Sequence, residues 1–492
     1  MNILLVFPQY PDSFWSFRYA LSFISKKAAM PPLGLITIAA MLPDTWNKRV
    51  VDMNVEPLHQ SDIHWADYVF ISAMNIQMAS AKRVLELCAN ADVKTVAGGP
   101  LFTQRPNDFP EIDTLILNEA EITLPLFLED IAKGRKPLKV YGTNEYADLT
   151  QSPVPQFSLL AKKAYAYMSI QISRGCPFSC DFCEITTLLG HKVRVKTTKQ
   201  ILDELDVLYQ QKWKGSVFIV DDNFIGNKKY VKEELLPAMK GWMQSHGNPF
   251  IFTAEASIDL ADDAETLQLM VDTGFKSVFI GIETPEEESL RDCNKVQNRN
   301  RDLLESVRQI QQAGLWVSGG FIVGFDKDSS SVFHRQVEFI QESGIVSAMV
   351  GLLNAPKNTK LYKRLANEGR IIHDSSGNNT DLSLNFVPKM KQSELIDGYN
   401  RIIQDIYSVK PYYQRIRRLL RHYKPQSVHP ARININALKG FLKSIWIIGI
   451  WERGRLEYWK LLFWTFRMRP RSMVDAIEFS IYGYHFRKVF KL

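Results

Sequence analysis

Two successive runs of alternation constrain this chain more than any other feature. Over the first 150 residues short apolar stretches recur at Asn2–Phe7 (NILLVF), Val50–Met53, Tyr68–Ser72 (YVFIS), Lys94–Ala97 and Thr114–Leu117. Helical spacing is expected at Leu33–Leu42, Ser80–Ala89 and Thr123–Ala132, between or after them. Strands separated by helix-length segments imply βαβ units and a doubly wound parallel sheet. Five such strands predict a flavodoxin-like (Rossmann-type) domain over 1–150, with its ligand at the carboxyl ends of the strands. The Pro-rich stretch QSPVPQF (151–157) reads as a linker.

A second alternation follows. Strands are expected at Tyr167–Ile172, Val217–Val220, Phe250–Glu255, Ser277–Glu283, Trp316–Val323 and Ala348–Leu353. The expected helices are Lys199–Gln211, Ala264–Thr273, Arg301–Ala313 and Ser331–Glu342. About six β/α units predict a partial (β/α)6 barrel over 151–385. Beyond 386 the pattern turns helical, with Ser393–Ser408 capped by Ser393 and a second helix at Gln414–His422. The fold class is therefore α/β with a mostly helical C-terminal domain over 386–492. A length of 492 residues also calls for more than one core.

Other classes are excluded by the residues themselves. No uncharged apolar run is long enough to predict a spanning helix. MNILLVFPQY lacks the basic head and cleavage site of a signal peptide. Five cysteines, an odd number with three in one place, argue against a disulfide framework and point to a reducing cytoplasm.

Those three cysteines, Cys176, Cys180 and Cys183 in RGCPFSCDFCE, are spaced C-x3-C-x2-C after a strand. Three thiolates do not complete a structural zinc site, and the next histidine, His191, stands well beyond them. Thiolates favour iron–sulfur clusters, and a 4Fe–4S cube on three ligands keeps one iron open for chemistry. A zinc knuckle or three unrelated buried cysteines is the plainer alternative. Cys88 and Cys293 are too far apart in sequence to suggest a second cluster and read as core thiols.

The loop, its position after a strand, Phe182 and the barrel pattern that follows resemble the radical S-adenosylmethionine (SAM) superfamily. The resemblance implies that Cys176, Cys180 and Cys183 hold the cluster and that SAM chelates the open iron. It also implies reductive cleavage to a 5′-deoxyadenosyl radical, in a closed barrel mouth that excludes water. Residues holding SAM are expected at the carboxyl ends of the barrel strands: Asp221, Asp222 and Asn223 in VFIVDDNF, Glu255 in TAEAS, and Glu283 in GFKSVFIGIET. SGGFIVGF (318–325) and LLNAPKNTKLYKRL (352–365) complete the series. Taken singly, each carboxylate has a bland reading as a strand-end cap or ion pair.

The order of domains, together with PPLGL (31–35), Gly98–Gly99–Pro100 and NEAE (118–121), resembles the cobalamin-dependent branch of that superfamily. The resemblance implies a cobalamin site at the first sheet's strand ends, including Ser72, Gly98, Gly99 and Glu119. Asn118 stands where the family often has Gly, and the D-x-H-x-x-G motif is absent, so no protein imidazole is expected below cobalt. A degenerate domain kept as a platform is the alternative.

The C-terminal region resembles the extension of hopanoid and bacteriochlorophyll C-methylases. It is also strongly basic: from Pro411 to Leu492 there are seventeen Lys and Arg against four Asp and Glu. Residues 441–471 interleave Trp, Phe and Ile with Lys and Arg. Aromatics capping the barrel mouth, a segment lying in an anionic membrane surface, and, least favoured, a nucleic-acid contact all remain open.

The resemblance implies a methyltransferase acting on an unactivated carbon of a small-molecule or lipid substrate through methylcobalamin, with an external flavodoxin- or ferredoxin-type electron donor. The cysteine usage and the basic aromatic tail place the protein in the cytoplasm or peripherally on the inner membrane face. The alternatives are the same cofactors used for ring formation or hydration, and a non-enzymatic cobalamin-binding module.

Overall fold

The computed structural model describes residues 1–378, 380–425 and 435–492. Part of the expected C-terminal domain, 426–434, lies outside the described residues. The first sheet has six strands: β1 (Asn2–Phe7), β2 (Asn47–Asp52), β3 (Tyr68–Ser72), β4 (Lys94–Gly98), β5 (Thr114–Ile116) and β6 (Val140–Tyr141). Their order is β2-β1-β3-β4-β5-β6, all parallel, which is the flavodoxin order extended by one short strand. Side chains alternate as the pleat requires. Leu4, Val6, Val69 and Ile71 enter one core, whereas Ile3, Leu5, Tyr68 and Phe70 enter the other. Two sequence expectations change here. β2 begins three residues earlier than expected, because Asn47, Lys48 and Arg49 are too polar to read as a strand, and β6 is too short to leave a pattern.

The second sheet orders its strands β7 (Tyr167–Ile170), β10 (Ser216–Ile219), β11 (Ile251–Glu255), β12 (Phe275–Glu283), β13 (Trp316–Val323) and β14 (Ala348–Leu352), all parallel. β7 and β14 are its two edges, so the barrel is open. Between β7 and β10 a two-residue antiparallel pair, β8 (Ser173–Arg174) with β9 (Arg194–Val195), closes the base of the cysteine loop.

C-terminal helices cover the outside of this barrel. The helix Gln392–Tyr407 starts one residue before Ser393, with Lys391 at the N-cap, so Ser393 lies inside the helix rather than capping it. The next helix, Val409–His422, starts five residues before the expected one; Pro411 falls in its first turn, where a missing N–H costs nothing. The fully buried Arg415 donates to the carbonyls of Ile406 (2.8 Å) and Val346 (3.2 Å), fastening this helix to the barrel. The helix Met473–Val489 is held by Lys276 of β12, whose Nζ lies 3.0 Å from Asp475 and 2.8 Å from Glu478. The N-terminal segment closes the assembly: Phe14 stacks on Phe486, and the His485 ring nitrogen Nε2 meets the Phe14 carbonyl at 3.0 Å. Among the described residues no helix is long and apolar enough to cross a membrane.

Candidate active site between two sets of strand ends

The cysteine loop leaves β8 through Gly175, whose φ is +95°. A Cβ there would sit 2.7 Å from the Lys192 carbonyl, so only glycine makes the turn. The Cys176 amide donates to Gly190, and the Cys183 amide to Cys180 (3.2 Å). The loop is also tied outward. Asp181 donates its amide to the Cys293 carbonyl, Asn294 donates to the Ser179 carbonyl (2.9 Å), and Leu361 donates to the Asp181 carbonyl. All five cysteines are free thiols. Burial raises the three loop thiols, Cys183 to about 12, so an unloaded loop keeps its protons until a metal displaces them.

Among the described residues no three His, Cys, Asp or Glu side chains close on one point as a mononuclear centre needs. A cube meets three thiolates at three separate irons, so a spread set of cysteines suits it better than zinc.

The barrel-strand carboxylates take different positions around this loop. Asp221 is buried and fully engaged: its oxygens accept from the Ile172 amide (2.7 Å) and the Ser173 hydroxyl (2.6 Å). Asn223 is likewise engaged, bonding both the amide and the hydroxyl of Ser257 and so joining the ends of β10 and β11. These two residues, expected to hold SAM, bond to the loop and to the neighbouring strand end within the protein. Asp222 and Glu255 differ. Asp222 Oδ2 is buried without a protein partner, and burial with the neighbouring Asp221 charge pushes its carboxyl to about 7. Burial, then the charges of Asp222 and Asp221, push Glu255 to about 8. Carboxyls raised by burial and then by one another's charge lack a positive charge that a ligand ammonium or sulfonium would supply.

Glu283 ends β12 at a register shift and takes φ +63°, a backbone region that non-glycine residues seldom adopt. Its Oε1 lies 2.6 Å from Lys295 Nζ. Gly281 makes the pair fit, since a Cβ there would lie within 2.9 Å of that Nζ. The Lys295 charge in turn lowers the Cys180 and Cys183 thiols against the effect of burial, and Gln297 Nε2 approaches Cys180 Sγ at 3.7 Å. Sequence reasoning missed Lys295 and Gln297. The only available signal was a polar run, CNKVQN, after Glu283. A cleft of about 420 Å³ opens beside the loop, lined in part by Phe178, His191, Asn223, Ser257 and Asp259.

On the first sheet Ser72, Gly98 and Asn118–Glu119 follow one another at the ends of β3, β4 and β5. Gly98 is required by packing, because a Cβ would lie 2.7 Å from the Ile116 carbonyl. Gly99 takes φ +92°, and its hypothetical Cβ would meet the Ser72 hydroxyl at 2.9 Å. Asn118 adopts φ +65°, so the turn expected for glycine survives in a residue that tolerates it. Glu119, expected at the cobalamin, is spent largely on the barrel: its Oε2 accepts from Arg174 (3.0 Å) and Arg194 (2.7 Å), while Oε1 is buried and unpartnered. Glu121 makes a second bond pair with Arg174 at 2.8 and 2.9 Å. Burial would raise the Glu121 carboxyl, but the Arg174 guanidinium outweighs it and holds the group at about 2. Gln104 donates to Glu184, directly after Cys183, at 2.9 Å. The carboxyl ends of the first sheet therefore face the cysteine loop of the second.

Comparison with known proteins agrees with this arrangement. Family models match for the B12 binding domain over 23–128, the Radical SAM superfamily over 170–340 and a domain of unknown function (DUF4070) over 359–492. The uncharacterized methyltransferase sll1242 of Synechocystis sp. is 39% identical over 99% of this chain and 91% of its own length. The hopanoid C-2 methylase of Rhodopseudomonas palustris is 33% identical over 95% of this chain and 89% of its own. In fold, the chain is similar to the radical SAM methyltransferase TsrM of Kitasatospora setae, solved with cobalamin and a [4Fe–4S] cluster. The TM-score is 0.61 at 13% identity, over 94% of this chain and 98% of that one. The cobalamin-dependent radical enzyme OxsB gives 0.63 at 14%, over 100% and 79%. With a B12-binding sheet and a radical SAM barrel turned toward one another, and full-length relatives that are methylases, the chain belongs to the cobalamin-dependent radical SAM C-methyltransferases, which use a 4Fe–4S cluster, SAM and cobalamin.

Proposed function

We propose that this chain methylates an unactivated carbon of a lipid-like, polycyclic substrate. One observation carries the reading of a shared reaction space: Arg174, two residues before Cys176, is bonded to Glu119 and Glu121 at the ends of the first sheet. The hopanoid C-2 methylase relative supports the lipid-like substrate. In this proposal the division of labour falls near residues 150 and 385, with the first domain for cobalamin, the second for SAM and substrate, and the third as cover.

Cys176, Cys180 and Cys183 would hold the cluster. Asp222 and Glu255 would receive the positive end of SAM, and Glu283 would keep Lys295 beside the cysteines. Asp221 and Asn223 position the loop and strand ends. Ser72, Gly98, Gly99 and Glu119 would border the cobalamin. When bound, the cluster with SAM supplies hydrogen-atom abstraction, and cobalamin supplies the methyl group. The chain's own contribution is to fix two strand-end sets around one space and to exclude water from it. A flavodoxin- or ferredoxin-type protein would deliver electrons. A lipid-like substrate also favours peripheral attachment to the inner membrane face.

The test is turnover of the anaerobically reconstituted protein with methyl-deuterated SAM and a polycyclic triterpene extract. Mass spectrometry should find label in a lipid product together with 5′-deoxyadenosine. Deoxyadenosine with no labelled product would refute methyl transfer, and label only in water-soluble products would refute the lipid substrate.

A further inference from the structure

Eight Lys and Arg but only two acidic residues fall in 438–474, a stretch that also holds a dense set of exposed large apolar side chains. The helix Ile435–Ser444 runs straight into the helical turn Ile445–Trp451, and the helix Arg455–Met468 packs back against it. On the first of these, Leu438, Leu442, Trp446 and Ile450 are exposed at every fourth position, one stripe along the helix. On the second, Tyr458, Leu461, Leu462 and Thr465 are buried against the protein. The same helix carries a second apolar stripe, Leu456, Trp459, Phe463 and Phe466, at spacings of three, four and three.

That second stripe faces outward: Phe463 and Phe466 are each 70% exposed and Leu456 69%. A helix with apolar residues on two sides is ordinarily buried on both. The two elements meet where Trp459 Nε1 donates to the Gly449 carbonyl (2.9 Å), and within the first the rings of Trp446 and Trp451 lie edge to face at 6.1 Å between centroids. They form one face too large and too aromatic for a surface bathed only in water.

The charges say what covers it. Lys439, Arg453, Arg455, Lys460, Arg467 and Arg471 are exposed along the same elements. The two acidic residues are already answered, Glu452 by Arg487 and Glu457 by Lys460 and Arg417. Tryptophan and phenylalanine between cations match the boundary of an anionic bilayer, where rings sit among the headgroups and long basic side chains reach outward to phosphate. We propose that this face docks the enzyme on an anionic lipid bilayer, lying in one leaflet without crossing it. The choice of occupant rests on the lipid-substrate reading; the face itself does not.

Co-sedimentation of the full-length protein with vesicles tests this apart from any turnover. Binding is expected to vesicles of phosphatidylcholine and phosphatidylglycerol in equal parts, to weaken in high salt, and to be much weaker to phosphatidylcholine alone. The double variant Phe463→Ser/Phe466→Ser should bind at least about tenfold more weakly while melting like the parent, because both rings are exposed. Arg455→Gln/Arg467→Gln should weaken binding only to the anionic vesicles. Three results would overturn the proposal: no vesicle binding by the parent, parent-like binding by the serine variant, or a parent dimer that the serine variant dissociates. The last would make a second copy the occupant. Labelled methyl transfer to a lipid could succeed or fail independently of each outcome.

Discussion

The two parallel sheets have the same number of strands and turn their carboxyl ends toward the same loop, yet they furnish those ends in opposite ways. The first ends in Ser72, Gly98, Gly99 and Asn118, small and uncharged, with two glycines where a Cβ would collide with backbone or a hydroxyl. The second ends in buried or half-buried acidic groups: Asp221, Asp222 and Glu255, whose charges act on one another, and Glu283, paired with Lys295. A cut-back rim suits a large neutral face approached through backbone, whereas a carboxylate-rich rim suits a small cation. The contrast assigns different ligands to ends of similar topology. The acidic residues that follow the first sheet, Glu119 and Glu121, are neutralised by Arg174 and Arg194 of the second domain.

The largest effect should come from the loop between the rims. Cys180→Ala should abolish the brown cluster absorbance and 5′-deoxyadenosine formation, while Cys88→Ala retains both. Cleavage surviving in Cys180→Ala would remove the cluster from this loop. Next is the clamp that joins the rims. Arg174→Met leaves the buried Glu121 without its cation, while Glu119 keeps Arg194, and stranding a buried carboxylate in this way costs about 3–5 kcal/mol. Chemical denaturation should register it, and a change below about 1 kcal/mol would mean that the two domains are held elsewhere.

The rims themselves should respond separately. Glu255→Gln should weaken SAM binding to the loaded protein by about ten- to hundredfold, the value of a charge-assisted contact, with cobalamin content unchanged. Gly99→Ala forces a side chain onto a backbone at φ +92° and ψ −177°, a region essentially reserved for glycine, at about 1–3 kcal/mol. It should lower cobalamin retention about tenfold with iron content unchanged. If Gly99→Ala impaired SAM, or Glu255→Gln impaired cobalamin, the division of ligands between the rims would be wrong.

Much of this contrast was legible in the sequence, because strand ends are local. β1 and β3 fall where the apolar runs place them, and the cysteine loop stands out by spacing alone. What did not show is where a strand-end side chain points. Asp221 and Asn223 look like ligands in VFIVDDNF, yet their partners are Ile172, Ser173 and Ser257, some 34 to 49 residues away. Glu119 meets Arg174 across 55 residues. Lys295 reaches Glu283 beside a glycine at 281, where a Cβ would meet its ammonium, and Gln297 reaches Cys180 across more than a hundred residues. Contacts of that separation leave no periodicity to read.

The last predicted effect lies outside both rims, should leave ligand binding untouched, and serves as a control. Burial holds His485 at about 4, below its ordinary value of 6.5, so the fold favours the neutral ring. A depressed histidine contributes its full stability above pH 6.5 and loses it as pH falls toward 4. Between pH 7 and pH 5 the parent should lose about 2 kcal/mol that His485→Gln does not, with SAM and cobalamin binding at pH 7 unaltered in the variant. Equal pH slopes for the two proteins would exclude this histidine as the cause.

The central claim is that both rims open on one space, and electron paramagnetic resonance tests it most directly. In protein loaded anaerobically with cluster and cobalamin and then partly reduced, the signals of the reduced cluster and of cob(II)alamin should split or broaden through mutual coupling. Two sharp, independent spectra, each identical to that of protein carrying one cofactor alone, would contradict the account.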